Sequence, residues 1–401
     1  MSTLSQQFYF DASYTSMVSS RSGVTRVVDR TWKEAKKKNW REGVINRVIE
    51  RHGSFFEPDE KPVTAKSWPL HFLGLSKKIQ RKPEVSLTAG DILFLPDAYW
   101  AYPSIWPAVA QARQRGVHCV PLVYDLIPLK HPEIYGDEGV AMFRGYLKNL
   151  LLHADAVVTI SQTVAEELKR CLPEIVDIGD PPPIIPWKLG CDLPAVACSE
   201  RRLRSNLFNQ RLPESAYLVV GSIEPRKNHN FILDAFDRLW STPATKNVRL
   251  AFVGTAGFKS EEIRQRIKNH PENNHRLFFL TDLDDAALAA AYAGARGVVF
   301  ASIAEGFGLP ITEALAHSQK VFVSDLPIHR EVGGADCEFF SLDTTDALFS
   351  CISKHEETFA TTATPVYPHT TPISWQKSTA MLMEILSNHV AKPTIPLRFS
   401  A

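Results

Sequence analysis

Glu305-Gly306-Phe307-Gly308-Leu309-Pro310-Ile311-Thr312-Glu313 is the stretch on which the reading of this chain turns. It follows the apolar run Gly297 to Ser302, which has the make-up of a buried strand, and leads into Ile311 to Ala316, which has that of a helix. The stretch is therefore expected to be a strand-to-helix turn. Gly306 and Gly308 permit positive φ and close approach of a ligand to the backbone, and Pro310 suits a first helical position. The unpaired N–H groups of such a helix start attract a phosphate or a hydroxyl-rich ligand. Glu305 and Glu313, with seven residues between them, can reach different parts of one elongated ligand.

Outward from this turn, strands and helices alternate. In the second half, Tyr217 to Val220, Val248 to Val253, Leu277 to Leu280, Val298 to Ala301 and Val321 to Val323 read as strands. Phe231 to Trp240, Glu261 to Lys268 and Asp284 to Ala293 read as the helices between them. In the first half the expected strands are Phe8 to Ala12, Asp91 to Leu95, Val117 to Tyr124 and Ala156 to Ile160. Helices are expected from Gly23, over Ile105 to Arg115, closing at Leu147 to Leu152, and over Thr163 to Arg170 behind the cap Ser161. This alternation predicts parallel sheets with ligands at the carboxyl ends of the strands. Pro173 to Pro194, with Pro181-Pro182-Pro183, interrupts it and reads as a stiff connection between two halves. The expected organisation is a domain over 1–184, a second over 185–374, and a closing amphipathic helix with its tail over 375–401.

Gly221-Ser222-Ile223-Glu224-Pro225-Arg226-Lys227-Asn228 follows the first strand of the second half. Arg226 and Lys227 then stand at the carboxyl edge of the sheet, beside the edge that carries Glu305 to Gly308. Two cations with helix-terminal amides can hold a diphosphate, a task other enzymes give to a divalent metal. No Asp-x-Asp sits in a loop suited to Mg²⁺; Asp282, Asp284 and Asp285 read as helix caps. No metal and no cofactor are expected. Ser22-Gly23 is a second glycine-bearing strand-to-helix loop, where small residues admit a diphosphate or an acceptor hydroxyl, or simply make a tight turn. His153, His229 and His329 have no ligand spacing and read as satisfied by local backbone or solvent.

The totals bound the rest. A chain of 401 residues favours more than one domain, and a net charge of +1 gives no pull toward nucleic acid. The six cysteines are scattered without a CxxC pair, which suits a reducing compartment rather than a disulfide framework. Met1 to Gln7 lacks the plan of a signal peptide, and no apolar run approaches the roughly 20 residues of a membrane span. The expectation is a cytoplasmic protein, at most peripheral on the inner face of a membrane. Lys33 to Arg41, flanked by Trp40, and the lysine-rich segment Lys66 to Lys82 suit either an anionic membrane surface or an ordinary solvated face.

Four stretches together resemble the retaining glycosyltransferases of family 4. Glu305 to Glu313 is similar to that family's signature of two glutamates around seven residues. Gly221 to Asn228 resembles the Gly-x-x-Glu-Pro-Arg-Lys-Asn form of its phosphate motif. Ser22 to Val28 resembles the N-domain glycine loop, in a subgroup that reads Thr-Gly-Ile-Gln-Arg-Val-Val. Tyr124-Asp125-Leu126-Ile127-Pro128 is similar to the subgroup's His-Asp-Leu-Ile-Pro, with Tyr124 in place of the histidine.

The resemblance implies an α/β protein of GT-B fold, with two Rossmann-like domains facing across a cleft. The first would bind the acceptor and the second the nucleotide sugar, and the last helix would cross back to the first domain. It implies a metal-independent, retaining hexosyltransferase of bacterial surface polysaccharide synthesis. Glu305, Lys227, Arg226 and Asp125 would be the catalytic residues, with Gly23, Ser222, Gly306, Phe307, Gly308, Leu309 and Glu313 around the donor. The donor would be a nucleoside diphosphate sugar, GDP-mannose as first choice with UDP- or dTDP-sugars as alternatives, and the acceptor a glycan or lipid-linked oligosaccharide. His131 could replace the absent histidine only if its loop folds back. The rival readings are an epimerase or phosphorylase on the same fold, and a non-catalytic partner subunit.

Overall fold

The computed structural model describes residues 6–18, 22–37, 45–58, 83–176, 180–191, 215–281, 283–317, 319–361 and 372–389. The chain forms two compact units, Met1–Gly190 with Ser374–Ala401, and Cys191–Ile373.

In the first unit the chain order is β1 (Phe8–Asp11), α1 (Ser13–Met17), α2 (Gly23–Ala35), β2 (Ile45–Arg51), β3 (Ser54–Phe56) and β4 (Ile92–Leu95). It continues through α3 (Trp106–Gln114), β5 (His118–Val123), α4 (Ile127–Lys130), α5 (Pro132–His153), β6 (Val157–Thr159), α6 (Gln162–Ile175) and β7 (Ile184–Pro186). The seven strands run in the order β3-β2-β1-β4-β5-β6-β7, parallel except for the β2–β3 hairpin. The order reverses between β1 and β4, so the two meet at a topological switch point.

Several of these elements depart from the sequence expectation. Ile45–Arg51 reads Ile-Asn-Arg-Val-Ile-Glu-Arg, too polar to stand out, yet it is strand β2 beside β1. The serine-rich segment after β1 holds the short helix α1. The helix expected to close at Leu147–Leu152 begins at Pro132, with a break at Gly136, whose φ of 71° no helix tolerates. Pro173 lies inside α6, and Ile184–Pro186, assigned from its prolines to a connection, pairs with β6 as an edge strand. The first unit accordingly runs on to Gly190. In the basic stretch α2 ends at Ala35, and Lys37 pairs with Glu34 at 2.6 Å. Residues 38–41, the segment 59–82, Asp282 and the tail beyond 389 lie outside the described residues.

The closing helix, α13 (Trp375–His389), belongs to the first unit and packs on α2. The fully buried Trp187 donates its indole N–H to the Ser378 carbonyl at 2.8 Å, and the Ser378 hydroxyl donates to the Lys188 carbonyl at 2.7 Å. Gly190 leaves room for α13, since a Cβ there would come within 2.5 Å of Trp375 Cα.

The second unit alternates regularly: β8 (Tyr217–Val220), α7 (His229–Ser241), β9 (Leu250–Val253), α8 (Glu261–Asn269), β10 (Leu277–Leu280), α9 (Asp285–Gly294) and β11 (Gly297–Phe300). It ends with α10 (Leu309–Ala316), β12 (Val321–Ser324), α11 (Pro327–Gly333), β13 (Cys337–Phe340) and α12 (Thr345–Thr361). All six strands are parallel in the order β10-β9-β8-β11-β12-β13. This is the doubly wound Rossmann order, with its switch point between β8 and β11. Both faces are covered: Tyr217 and Val219 pack with Ile232, Phe236 and Leu348 on one side, Leu218 and Val220 with Ala291, Tyr292 and Ile311 on the other. Double burial explains why these strands read as unbroken apolar runs rather than alternating ones.

At the first unit's switch point sits a buried pair of acids. Asp11 ends β1 and accepts the Ser13 hydroxyl at 2.6 Å, the Ser13 N–H at 3.1 Å and the Tyr99 hydroxyl at 2.8 Å. Asp97, just past β4, accepts the Thr15 N–H at 2.7 Å and the Thr15 hydroxyl at 2.8 Å. Burial, and then the neighbouring Asp97, push Asp11 up to about 7; the three donors only partly offset them. Burial also raises Asp97. The folded chain thus holds a proton on Asp11 that the unfolded chain releases near 3.8, so this contribution to stability is full below 3.8 and is lost as pH rises through about 7. Asp11→Asn, which needs no proton, is expected to flatten the fall in melting temperature between pH 4 and 8. An unchanged slope in thermal denaturation across that range would show that Asp11 is ionised throughout.

Candidate functional site

The carboxyl ends of β8 and β11 bring together what the sequence places eighty residues apart. β8 runs into the turn Pro225–Lys227, after which Asn228, in left-handed conformation at φ 55°, starts α7. β11 runs into Ser302 to Gly308, and Gly308, at φ 92°, starts α10. Gly308 takes the expected positive φ; Gly306 does not. The two loops are joined by backbone, the Ile303 N–H donating to the Arg226 carbonyl at 2.8 Å.

Between them lies an ion cluster. Glu305 Oε2 accepts from Arg226 Nη1 at 2.7 Å, and Glu305 Oε1 accepts from Lys227 Nζ and from the Ser302 hydroxyl, the latter at 2.8 Å. Arg226 Nε donates to Glu224 Oε2 at 2.8 Å. The side chains of Glu305 and Lys227 are only 9% and 11% exposed, so neither is a solvated surface charge. Burial acts to raise Glu305, but Arg226 and Lys227 outweigh it and hold the carboxyl well below the usual carboxylate range. Burial lowers Lys227, and Glu305 restores part of the loss. His229, the first residue of α7, is pushed down to about 3 by burial and by Lys227 and is neutral at pH 7.

Glycines let the loops approach. A Cβ on Gly254, after β9, would overlap the Gly221 carbonyl, and one on Gly257 would lie 2.5 Å from Glu224 Cγ. Gly221, at φ 145°, has Lys227 Cε 3.4 Å from where its Cβ would be. Ser222 is half-buried in this loop, Phe307 is buried and Leu309 opens α10. Glu313 lies in α10, is 4% exposed, and accepts from the Tyr292 hydroxyl of α9 at 3.0 Å. Tyr292 stacks on His317 with ring centroids 5.8 Å apart.

The remaining expected residues lie in the first unit. Asp125, after β5, accepts the Ile127 N–H at 3.0 Å. Tyr124 is buried and donates to the Pro96 carbonyl at 2.6 Å, so its hydroxyl is committed to the core. His131 pairs with Glu133 at 3.0 Å. Gly23 opens α2 behind a capping box of Ser22 and Thr25, and nothing lies within 4 Å of where its Cβ would be. Asp284 caps α9, accepting the Ala287 N–H at 2.7 Å. Among the described residues no three His, Cys, Asp or Glu side chains cluster as metal ligands, and no helix is long and apolar enough to cross a membrane. Sequence reasoning did not select Glu224, Ser302, Ser324 or Tyr292. Glu224 stood inside a quoted motif, whereas the other three carry no signal until strand order places them.

Two doubly wound units in one chain make up the fold on which GT-B glycosyltransferases are built. Residues 206–337, which include β8 to β12 and the whole ion cluster, match the family model for glycosyl transferases group 1. The chain is 29% identical over 309 residues to the serotype-specific mannosyltransferase WbdA of Escherichia coli, covering 75% of this chain and 38% of that protein. It therefore spans well under half the length of that relative. To the O-antigen chain mannosyltransferase RfbU of Salmonella typhimurium it is 26% identical over 223 residues, 54% of this chain and 56% of that protein. Among solved structures, Anabaena HepE, crystallised with UDP and glucose, superposes with a TM-score of 0.62 at 15% identity, over 95% of this chain and 99% of that one. Sucrose-phosphate synthase from Thermosynechococcus elongatus gives 0.57 at 16% identity, over 95% and 94%. At such identities the structural likeness concerns the fold.

The close approach of the β8 and β9 loops gives a test of the frame. Gly254, at φ 157° against the Gly221 carbonyl, cannot take a side chain without moving the turn that carries Arg226 and Lys227. Gly254→Ala is expected to destabilise the protein by about 1–3 kcal/mol in chemical denaturation. Retained stability would mean that the two loops are independent.

Proposed function

We propose that this chain is a retaining hexosyltransferase that moves a sugar from a nucleoside diphosphate sugar to a hydroxyl of a growing bacterial surface glycan. The observation that carries the reading is the Arg226–Lys227–Glu305 cluster at the switch point of the second sheet. A nucleotide sugar placed there meets two cations for its diphosphate and a carboxylate for its sugar hydroxyls. As the glycosidic bond breaks, negative charge grows on the leaving diphosphate, and Arg226 and Lys227 answer it without a metal. The leaving phosphate takes the acceptor proton on the same face of the sugar, so the configuration is kept and no strong enzymic base is needed. Ser222, Gly306, Phe307 and Leu309 line the donor, and Glu313 holds the ribose.

Mannose from GDP-mannose is the preferred donor, because WbdA and RfbU, to which the chain is similar, are mannosyltransferases. The acceptor is a glycan or lipid-linked oligosaccharide met at the inner face of the membrane. The deciding experiment incubates the protein with radiolabelled nucleotide sugars, with and without an oligosaccharide acceptor, and with EDTA. Transfer from GDP-mannose that persists in EDTA, with the anomeric configuration kept, is expected. Transfer that needs Mg²⁺ restored would overturn the role given to the cations.

Lys227→Ala is expected to lower kcat roughly a hundred- to a thousandfold, as for loss of a preorganised donor to a developing anion. Near-normal turnover would reduce Lys227 to a structural partner of Glu305. The two glutamates should separate in steady-state kinetics. Glu305 faces the sugar, which changes in the transition state, so Glu305→Gln depresses kcat; Glu313 faces the ribose, which does not, so Glu313→Gln raises the donor KM. The opposite pattern would reverse the placement of the donor.

A further inference from the structure

The turn that carries Glu305 is also held from the side of the sheet away from Arg226 and Lys227. Ser302, just past β11, donates its hydroxyl to Glu305 Oε1 at 2.8 Å. Ser324, the last residue of the neighbouring β12, donates its hydroxyl to the Ser302 carbonyl at 2.6 Å. Beyond it, His329 Nδ1 on α11 lies 2.8 Å from the Ser324 carbonyl and 3.2 Å from the Ser324 hydroxyl. A carbonyl only accepts, so Nδ1 carries the proton. Ser302, Ser324 and His329 are all 1% exposed or less, and the chain of bonds runs through the interior across the ends of two strands and a helix.

The second ring nitrogen, His329 Nε2, is buried and has no hydrogen-bond partner among the described residues. A buried polar atom without a partner is destabilising, so histidine is a poor residue for filling this space. An apolar ring would avoid that cost. What the interior uses is the Nδ1–H group.

We propose that His329 is a positioning residue: through Ser324 and Ser302 it fixes the orientation of the Glu305 carboxylate. The role in turnover rests on the function proposed above; the geometric role does not. Arg226 and Lys227 supply Glu305 with charge and one bond to each carboxylate oxygen. The hydroxyl of Ser302 adds a neutral bond to Oε1 whose direction follows the Ser302 backbone, and Ser324, itself bonded by His329, holds that backbone. Burial keeps the ring below the ordinary histidine value, against the opposing pull of the Ser324 carbonyl and Glu305. The neutral ring then has one donor, and it is spent on Ser324.

The experiment compares His329→Ala, His329→Asn and His329→Phe, with Ser302→Ala as a variant that leaves α11 intact. Asn can place an N–H near the position of Nδ1, while Phe keeps the shape and drops the donor. Against the nucleotide sugar donor, Ala and Phe are expected to lower kcat about tenfold, the worth of one hydrogen bond, at unchanged KM, and Asn to restore it. Phe performing as well as Asn, or a change confined to KM, would overturn the proposal. Infrared difference spectra against Glu305→Gln give a readout without turnover. The Glu305 carboxylate band is expected to shift in the Ala, Phe and Ser302→Ala proteins and to return in the Asn protein. If the unmodified protein turns over no nucleotide sugar, the functional reading falls and the band alone decides; a band unmoved in every variant would refute the positioning role.

Discussion

A carboxylate buried between two cations is the constraint from which the second unit is organised. An ionised Glu305 with its side chain 9% exposed is tolerable only while Arg226 and Lys227 stay within reach, and each of those cations, itself largely buried, needs the carboxylate in return. The loops after β8 and β11 are thereby bound to each other, and the rest follows. Glycines at 221, 254 and 257 appear where backbones must come close, and Glu224 holds the far side of the Arg226 guanidinium. The Ile303 to Arg226 backbone bond closes the join. Such a cluster adds little net stability over an apolar core, but it keeps charge poised at one place in the sheet.

The two units share a topology and use its switch point in opposite ways. Between β1 and β4 the first unit places Asp11 and Asp97, whose lone pairs are taken up by Ser13, Thr15 and Tyr99. Those acids act as fasteners for the segment that follows β1. Between β8 and β11 the second unit places cations against a carboxylate. A Rossmann-like sheet offers the same position in both cases. The side chains at the strand ends decide whether it holds hydroxyl donors around acids or cations around a carboxylate.

The second unit was the more legible from sequence, and the reason is physical. Its strands are buried on both faces and read as apolar runs, and its helices carry clear caps such as Asp284. The cluster residues were visible because Arg226, Lys227 and Glu305 sit in loops that interrupt this regular pattern. In the first unit β2 and the edge strands β3 and β7 bury less and carry polar residues or proline, so local pattern could not reveal them. Tyr124 could be read as a departure from a motif, but not as a core residue tied to Pro96, since that contact depends on β4 and β5 being neighbours. Ser302, Ser324 and His329 were hidden for the same reason: each is ordinary in its own stretch, and they meet because β11 and β12 are adjacent.

The return of α13 to the first unit has a consequence for synthesis on the ribosome. β1 to β7 are made first, yet the helix that packs on α2 and receives the Trp187 indole N–H is translated only after the whole of the second unit. The second unit is continuous in sequence and has all its strands and cores in hand before then. The usual order of a growing chain, N-terminal domain first, is therefore inverted for completion: the first unit starts earlier and finishes later. In the interval the surface of α2 and the edge near Trp187 lack their cover, and the nascent protein carries an unfinished apolar face there until the last helix is made.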